Sequence, residues 1–140
     1  MVGTPQILYP HVVIDAPARA VFDFVRDLRN LPAWAIHFCK GIRLDGEGAW
    51  VQSPQGEVYF ATRPDAGTGV LDWLVGPTRE SAARWPTRVV ELPGDRSLFT
   101  VTALLDENAD PAVLERLFAD ELGTLKRLVE RTAGASGRAA

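Results

Sequence analysis

The sequence predicts an α+β fold in which an antiparallel sheet packs against one long C-terminal helix. Three observations predict it: several short segments with the composition of strands, turn residues that separate most of them closely, and a final amphipathic segment with helical spacing. Strands joined by such short turns must be antiparallel neighbours, because a parallel crossover needs about a dozen residues. The strands and helices are grouped rather than alternating, which is typical of the α+β class.

The N-terminal part of the chain predicts a strand followed by two short helices. Residues 6–14 are rich in Ile, Val and Tyr, which favours a strand. Asp15 can cap the helix that follows, and Pro17 can open it, since proline at the first helical position loses no hydrogen bond. A second helical piece is expected over 31–36. The first helix carries its apolar side chains on one face, at Val21, Phe22 and Val25.

The middle of the chain carries turn residues at short intervals, which indicates a series of hairpins. Asp-Gly and Pro-Gly pairs supply the backbone angles that tight reversals need. A sheet of this many strands is expected to curl around the final helix. The predicted strands cover residues 38–44, 49–52, 57–63, 69–75, 83–92 and 97–105.

The last element is predicted to be a long amphipathic helix. Asp110 and Pro111 provide an N-cap and a first-turn proline, and Gly134 is expected to end the helix. A helix of this length needs a large apolar partner, so its stripe is expected to lie across one face of the sheet. The space beneath it is either filled by side chains or left as a pocket. The stripe comprises Leu114, Leu117, Phe118, Leu122, Leu125, Leu128 and Val129.

Length and composition predict one domain over residues 1–132 and a flexible tail over 133–140. The net charge of -3 gives no basic surface of the kind a nucleic-acid binder needs. No segment stays apolar for about 20 residues, so no integral membrane association is expected. The N-terminus lacks the pattern of a signal peptide, and the single cysteine, Cys39, cannot form an internal disulfide; both favour a cytoplasmic setting.

Two parts of the chain resemble the START-like, or SRPBCC, superfamily. The first part is Val12-Val13-Ile14-Asp15-Ala16-Pro17, then Val21-Phe22-Asp23-Phe24-Val25, then Asp27, Asn30, Leu31 and Trp34. The second is the closing helix over 114–129, which is similar to the family's grip helix. The resemblance implies a helix-grip fold, in which a curved antiparallel sheet of about six to seven strands wraps around the C-terminal helix. It also implies a cavity between helix and sheet for a small hydrophobic or aromatic molecule, as in polyketide cyclases, lipid carriers and hormone receptors.

Three side chains are candidates for catalysis in such a cavity. His37 can act as acid or base near neutral pH, and its alternative is a hydrogen-bonded structural histidine. Asp72 stands inside an apolar strand, where it is either functional or paired across the sheet with Arg84 or Arg88. Arg88 can bind a ligand carboxylate or enolate, and its alternative is a solvated outer face. Trp85 falls on the strand face opposite the two arginines and is expected to point inward.

Large apolar side chains are candidates for the walls of the cavity, because flat rings suit aromatic ligands. For each of them the alternative is ordinary core packing. Phe99 and Val101 alternate with threonines, which predicts an apolar inner face on their strand. Trp50 is a further candidate wall. The predicted ligand-binding residues are Trp34, Tyr59, Trp73, Trp85, Phe99, Val101, Phe118 and Leu122.

Several functions fit these residues. One is a cofactor-free polyketide cyclase or dehydratase, in which the cavity orients a reactive chain while His37 and Asp72 move protons and Tyr59 or Arg88 polarises a carbonyl. The resemblance favours this function. A second function is that of a carrier or sensor, which the lack of a clear acid–base pair favours. A third is a partner-binding module that forms a homodimer through the outer sheet face. No metal site and no cofactor are expected, since metal-ligand spacing and a phosphate loop are missing from the sequence.

Overall fold

The computed structural model describes the backbone of residues 5–139 and the side chains of residues 5–134. Its strands are β1 (Gln6–Leu8), β2 (His11–Ile14), β3 (Gly41–Asp45), β4 (Gly48–Ser53), β5 (Gly56–Asp65), β6 (Val70–Gly76), β7 (Ala83–Trp85), β8 (Thr87–Leu92), β9 (Arg96–Val101) and β10 (Ala103–Leu105). The main sheet runs in the order β2-β9-β8-β6-β5-β4-β3, with β7 also beside β6, and β1 pairs with β10. Every pairing is antiparallel, which confirms the predicted sheet type.

The ten strands correspond to fewer, longer strands that bend at prolines and near Thr102. Proline lacks the N–H that a strand needs to continue its ladder, so Pro10 and Pro86 each interrupt one. Hydrogen bonds cross both breaks: the Val101 N–H donates to the Pro10 carbonyl at 3.0 Å, and the Thr102 N–H donates to the Pro86 carbonyl at 2.7 Å. The bent pairs β1–β2, β7–β8 and β9–β10 cover the predicted strands 6–14, 83–92 and 97–105.

Two short helices and a 3-10 turn follow β2. Helix α1 (Ala18–Arg26) buries Val21, Phe22 and Val25, as its periodicity predicts. Asp15 does not cap it: the N-cap position is Pro17, which makes no side-chain cap, and the Asp15 N–H donates instead to Glu130 Oε2 at 2.7 Å. After the turn over Leu28–Asn30, helix α2 (Leu31–Trp34) is shorter than the predicted 31–36.

The long C-terminal helix, α3 (Pro111–Ala139), closes the fold. Asp110 caps it as predicted, since Asp110 Oδ1 accepts the Ala112 N–H at 3.0 Å. The prediction that Gly134 ends the helix is wrong, because α3 continues through Ala139. A helix interior tolerates glycine at a modest cost in free energy. The predicted flexibility of 133–140 stays a prediction, and Ala140 lies outside the described residues.

The core lies between α3, α1 and one face of the sheet. On α3 the side chains of Leu122, Leu125 and Val129 are buried, and on the sheet the inner face includes Phe99 and Leu71. Helix α3 packs against β2 over the longest stretch, and it also packs against α1, α2 and β1. Within the described residues, no helix is long and apolar enough to cross a membrane. The predicted α+β arrangement, with the sheet packed on a long C-terminal helix, is thus confirmed.

Candidate functional site

Aromatic rings fill the space between α3 and the inner face of the sheet. Trp73 of β6 is the centre of this group: its ring centroid lies 5.2 Å from that of Phe60, 6.0 Å from Trp34, 6.2 Å from Phe99 and 6.4 Å from Trp85. We call the connected rings the inner ring cluster. It comprises Trp34, Phe38, Phe60, Trp73, Trp85, Phe99 and Phe118.

Five of the predicted ligand-binding residues therefore lie together. Trp85 points inward, as the sequence predicts, and meets Phe118 of α3 with a centroid distance of 6.4 Å. This contact bridges the helix and the sheet at the side of the cluster where Phe118 and Trp85 are only half-buried. Val101 and Leu122 are buried in the same core. The expected gap beneath α3 is thus filled by side chains at its centre.

Free volume remains at the edge of the cluster, where the first half of α3 faces β1 and β2. Leu114, Leu117 and Phe118 are half-buried, whereas Leu122 and Leu125 farther along the stripe are buried. A groove of about 200 Å³ opens there. We call it the β1–α3 groove; it is lined by Leu8, Tyr9, Pro10, His11, Glu115, Phe118, Ala119 and Leu122. Phe118 belongs to both the groove and the inner ring cluster, so the two are contiguous.

Two indole N–H groups inside the cluster have no acceptor among the described side chains and backbone. They belong to Trp34, which is 3% exposed, and Trp73, which is 5% exposed. Buried polar groups in folded proteins are nearly always hydrogen-bonded. The aromatic space therefore carries two hydrogen-bond donors that the protein itself does not satisfy.

A group of ionisable side chains lies where the segment after α2 packs on α3. Glu121 is buried, and its Oε2 accepts the N–H of His37 at 3.0 Å and that of Phe38 at 2.9 Å. Burial raises the pKa of Glu121, and the two N–H bonds oppose that rise only in part. His37 Nε2 lies 3.2 Å from Asp120 Oδ2. The arrangement places the Glu121 carboxyl, which can hold or release a proton, next to His37. His37 directly precedes Phe38, whose ring belongs to the inner ring cluster.

Sequence reasoning missed Glu121, although its spacing is informative. Glu121 lies four residues after Leu117 and four before Leu125, which places it on the apolar face of the helix. A carboxylate on such a face must find hydrogen-bond donors or be neutral. The backbone N–H groups that it contacts lie more than 80 residues away in the chain, and the sequence gives no sign of them.

Asp72 and Arg88 lie on the outer face of the sheet, away from His37. Asp72 Oδ2 accepts from Arg84 at 2.9 Å and Oδ1 accepts the Thr87 N–H at 3.0 Å, while the neighbouring Trp73 points inward. Arg88 is exposed and donates to the Thr68 carbonyl at 3.2 Å. The three predicted catalytic side chains are thus not brought together, and their catalytic roles stay predictions.

Tyr59 and Trp50 also lie on the outer face. Their rings pair across β4 and β5 with a centroid distance of 5.4 Å. The Arg79 guanidinium stands 5.4 Å from the Tyr59 ring, which helps to bury that ring outside the core. Gly48 is required beneath it, because a Cβ at that position would lie 2.5 Å from the Tyr59 hydroxyl oxygen. Tyr59 therefore does not line the space that the inner ring cluster occupies.

Two further features have no place in this site. A second groove, of about 460 Å³, lies between α1 and the last turns of α3 and is lined by Pro17, Ala20, Asp23, Phe24, Val129, Thr132 and Ala133. Cys39 is buried, and burial raises the pKa of its thiol, which opposes formation of the nucleophilic thiolate. Among residues 5–134, no group of three or more His, Cys, Asp or Glu side chains could hold a metal ion.

Comparison with solved structures shows a START-like helix-grip fold. A START superfamily protein from Mycobacterium smegmatis aligns at a TM-score of 0.58 and 17% identity, covering 92% of this chain and 97% of that one. The Aha1 dimer from Colwellia psychrerythraea aligns at a TM-score of 0.67 and 16% identity, covering 89% of this chain and 96% of that one. The di-domain ARO/CYC StfQ from the steffimycin biosynthetic pathway aligns at a TM-score of 0.59 and 22% identity, covering 89% of this chain and 45% of that one.

No family model matches the chain. No curated protein sequence matches it either. The class of protein is therefore defined by its fold, which is START-like, with an antiparallel sheet gripping a long C-terminal helix.

Proposed function

We propose that this domain binds one small, mostly apolar molecule between α3 and the inner face of the sheet, and carries or senses it without changing it. The molecule enters at the β1–α3 groove and reaches the inner ring cluster as Phe118 and Trp85 separate. Aromatic walls and few polar groups are typical of sites for hydrophobic ligands.

One observation carries the proposal: the apolar stripe of α3 is only half-covered beside the groove. Leu114, Leu117 and Phe118 keep part of their apolar surface in contact with solvent. Farther along the same stripe Leu122, Leu125 and Val129 are buried, and Leu128 is partly buried. Covering apolar surface stabilises a complex by about 25 cal/mol per Å². The groove itself is small beside common ligand pockets of about 300–1,000 Å³, so the guest must either be small or displace a ring.

A groove-filling substitution tests the proposal. Ala119 lines the groove and is exposed, so Ala119→Trp should fill the groove without disturbing the core. Ethylnaphthalene is a suitable probe, and its binding is followed through tryptophan fluorescence or nuclear magnetic resonance. We expect Ala119→Trp to weaken binding about tenfold, the effect of losing roughly 1.4 kcal/mol of contact.

The matched control is Ala112→Trp, which adds the same ring to an exposed position of α3 that does not line the groove. It should leave the affinity unchanged. If the wild-type protein does not bind the probe, or if both variants bind it as the wild type does, the proposed site is wrong.

A second candidate function is cofactor-free cyclisation or dehydration of a linear poly-β-ketone. The observation that favours it is the buried Glu121 carboxyl beside His37 and Asp120. In such a step a base, for which His37 is the candidate, removes a proton from the carbon between two carbonyls. That carbon attacks another carbonyl of the same chain, and the alkoxide takes a proton from Glu121. In the loss of water that follows, the Glu121 carboxylate removes the second proton of that carbon, and protonated His37 gives its proton to the departing hydroxide. The step needs no oxidant or reductant.

The two functions differ in what leaves the protein. A synthetic thioester of a linear poly-β-ketone should be recovered unmodified, beyond its spontaneous reaction, if the domain only carries its ligand. Faster cyclisation that His37→Ala and Glu121→Gln both abolish, with folding intact, would establish the enzyme instead.

A further inference from the structure

We propose that the ligand carries a neutral hydrogen-bond acceptor, such as a ketone, quinone or ester oxygen, which the indole N–H groups of Trp34 and Trp73 bind. This inference rests on the proposed function and names the ligand class for that site. The rings of the two tryptophans are adjacent, with centroids 6.0 Å apart and planes tilted by 38°.

The two donors are unusual for their burial. Both tryptophans are more than nine-tenths buried, and neither indole N–H finds an acceptor among the described residues. Indole nitrogen is a donor only, so a second donor cannot satisfy it. A purely apolar guest would leave both groups unpaired, whereas a guest with an acceptor oxygen would relieve them. The cluster therefore selects for one polar atom on an otherwise apolar molecule.

The charge around the cluster favours a neutral acceptor over a carboxylate. The three arginines that stand over aromatic rings contact Phe22, Trp50 and Tyr59, none of which belongs to the inner ring cluster. Among the described residues, the one buried acidic or basic side chain is that of Glu121, which accepts the Phe38 N–H. A buried anion needs a paired cation, and the described residues of the cluster supply none.

A matched set of three probes tests the inference. Acetylnaphthalene and ethylnaphthalene have the same shape, but only the first carries an acceptor oxygen, and naphthoate carries a negative charge. Since a ketone and a hydrocarbon differ in their own affinity for water, the quantity to compare is the ratio of their affinities across variants. Trp34→Phe and Trp73→Phe each remove an N–H and keep a ring.

We expect each of these variants to lower the ratio of acetylnaphthalene to ethylnaphthalene affinity about fivefold, the worth of one ordinary hydrogen bond. Trp50→Phe is the control, because its ring lies on the outer face of the sheet and its N–H already donates to Asp45 Oδ2 at 3.0 Å. It should leave the ratio unchanged. In nitrogen–proton spectra of the indole groups, acetylnaphthalene should move the Trp34 and Trp73 proton signals downfield, and ethylnaphthalene should not.

The outcomes separate this inference from the function beneath it. If both naphthalenes bind and the ratio of their affinities is the same in all variants, the indole N–H groups do not hold the ligand. The same result is expected if an ordered water is their acceptor. Either way the inference is overturned, while the proposed binding site stands. If naphthoate binds more tightly than acetylnaphthalene at neutral pH, the acceptor is not neutral, which also overturns it. If no probe binds, the proposed function fails first and the inference falls with it.

Discussion

Glu121 is an acidic residue that is buried, although a carboxylate is most stable when it is exposed to water. Its carboxyl is buried on α3 and holds the segment after α2 by accepting the N–H groups of His37 and Phe38. The charged or titratable groups around it are His37, Cys39, Lys40 and Asp120. Burial dominates this balance and raises the pKa of Glu121 above its ordinary value of 4.5. The folded protein therefore binds this proton more tightly than the unfolded chain.

A pH series on Glu121→Gln measures that difference. The stabilisation linked to a raised pKa is complete below the unfolded value and is lost as the pH rises through the folded value. We expect the free energy of unfolding of the wild type, minus that of Glu121→Gln, to fall as the pH rises from 4.5 through the folded pKa. The amide oxygen can still accept the two N–H bonds, so the variant should fold.

Urea unfolding at several pH values checks this result. The control is Ala112→Gln, which adds the same amide at an exposed position of α3 and neither removes nor adds a titratable group, so its difference from the wild type should not change with pH. If the difference in unfolding free energy between the wild type and Glu121→Gln stays flat or increases over this range, Glu121 is charged and well solvated in the folded protein.

Asp72 shows why residue roles on a strand are hard to predict. The side-chain period of a strand is two residues, so one step of register moves a side chain to the opposite face. The sequence left Asp72 either in the cavity or paired with an arginine. The observed register puts Trp73 opposite Thr62 and Trp85 on the inner face, and so sends Asp72 outward to Arg84.

At the scale of elements, the two halves of α3 differ in how deeply their apolar side chains are buried. In its second half Leu125 and Val129 are buried in the core and Leu128 is partly buried, and Glu130 accepts the Asp15 N–H at the end of β2. Its first half, around Leu114, is half-buried next to the β1–α3 groove. The buried side chains of the second half therefore stabilise the core, whereas the first half keeps apolar surface exposed beside the groove.

A pair of alanine substitutions tests this division. Leu125→Ala leaves a cavity in a fully packed region and should lower the free energy of unfolding by about 2–5 kcal/mol. Leu114→Ala removes a side chain that is already part-exposed and should cost about 1 kcal/mol or less. Denaturant unfolding measures both. Equal losses at the two positions would show that the first half of α3 is as tightly packed as the second.

The sequence predicts such elements well where local signals are strong. The Asp110 cap, the helical stripe of α3 and the Pro-Gly hairpin between β8 and β9 all depend on residues that are neighbours in the chain. One prediction failed where a distant contact decides, since the Asp15 N–H donates to Glu130 and Asp15 does not cap α1. Another failed because a helix tolerates glycine at a modest cost, so α3 continues past Gly134.

At the scale of the whole molecule, the fold is that of START-like proteins, and the space between α3 and the sheet is the feature that local sequence patterns predict least. The amount of free volume depends on how far α3 stands from the sheet and on the summed size of the side chains between them. Neither quantity can be read from periodicity, so the sequence left the cavity either open or filled. The rings of the inner ring cluster fill its centre, and the β1–α3 groove opens at its edge.

Assembly belongs to this scale as well. The Aha1 structure from Colwellia psychrerythraea is described as a dimer, and a homodimer of this chain stays a prediction. Tyr59 and Trp50 lie on the outer face that the sequence offers for such an interface, but Tyr59 is already covered within the single chain. A cytoplasmic setting likewise stays a prediction.

Contacts between protein and probe, measured by nuclear Overhauser effects with ethylnaphthalene in solution, test the central claim most directly. The account predicts effects from the probe to Phe118, Leu122 and Trp85, where the β1–α3 groove meets the inner ring cluster. Effects confined to Phe24 and Val129 in the α1–α3 groove, or to Trp50 and Tyr59 on the outer face, would contradict it, as would the absence of any effect.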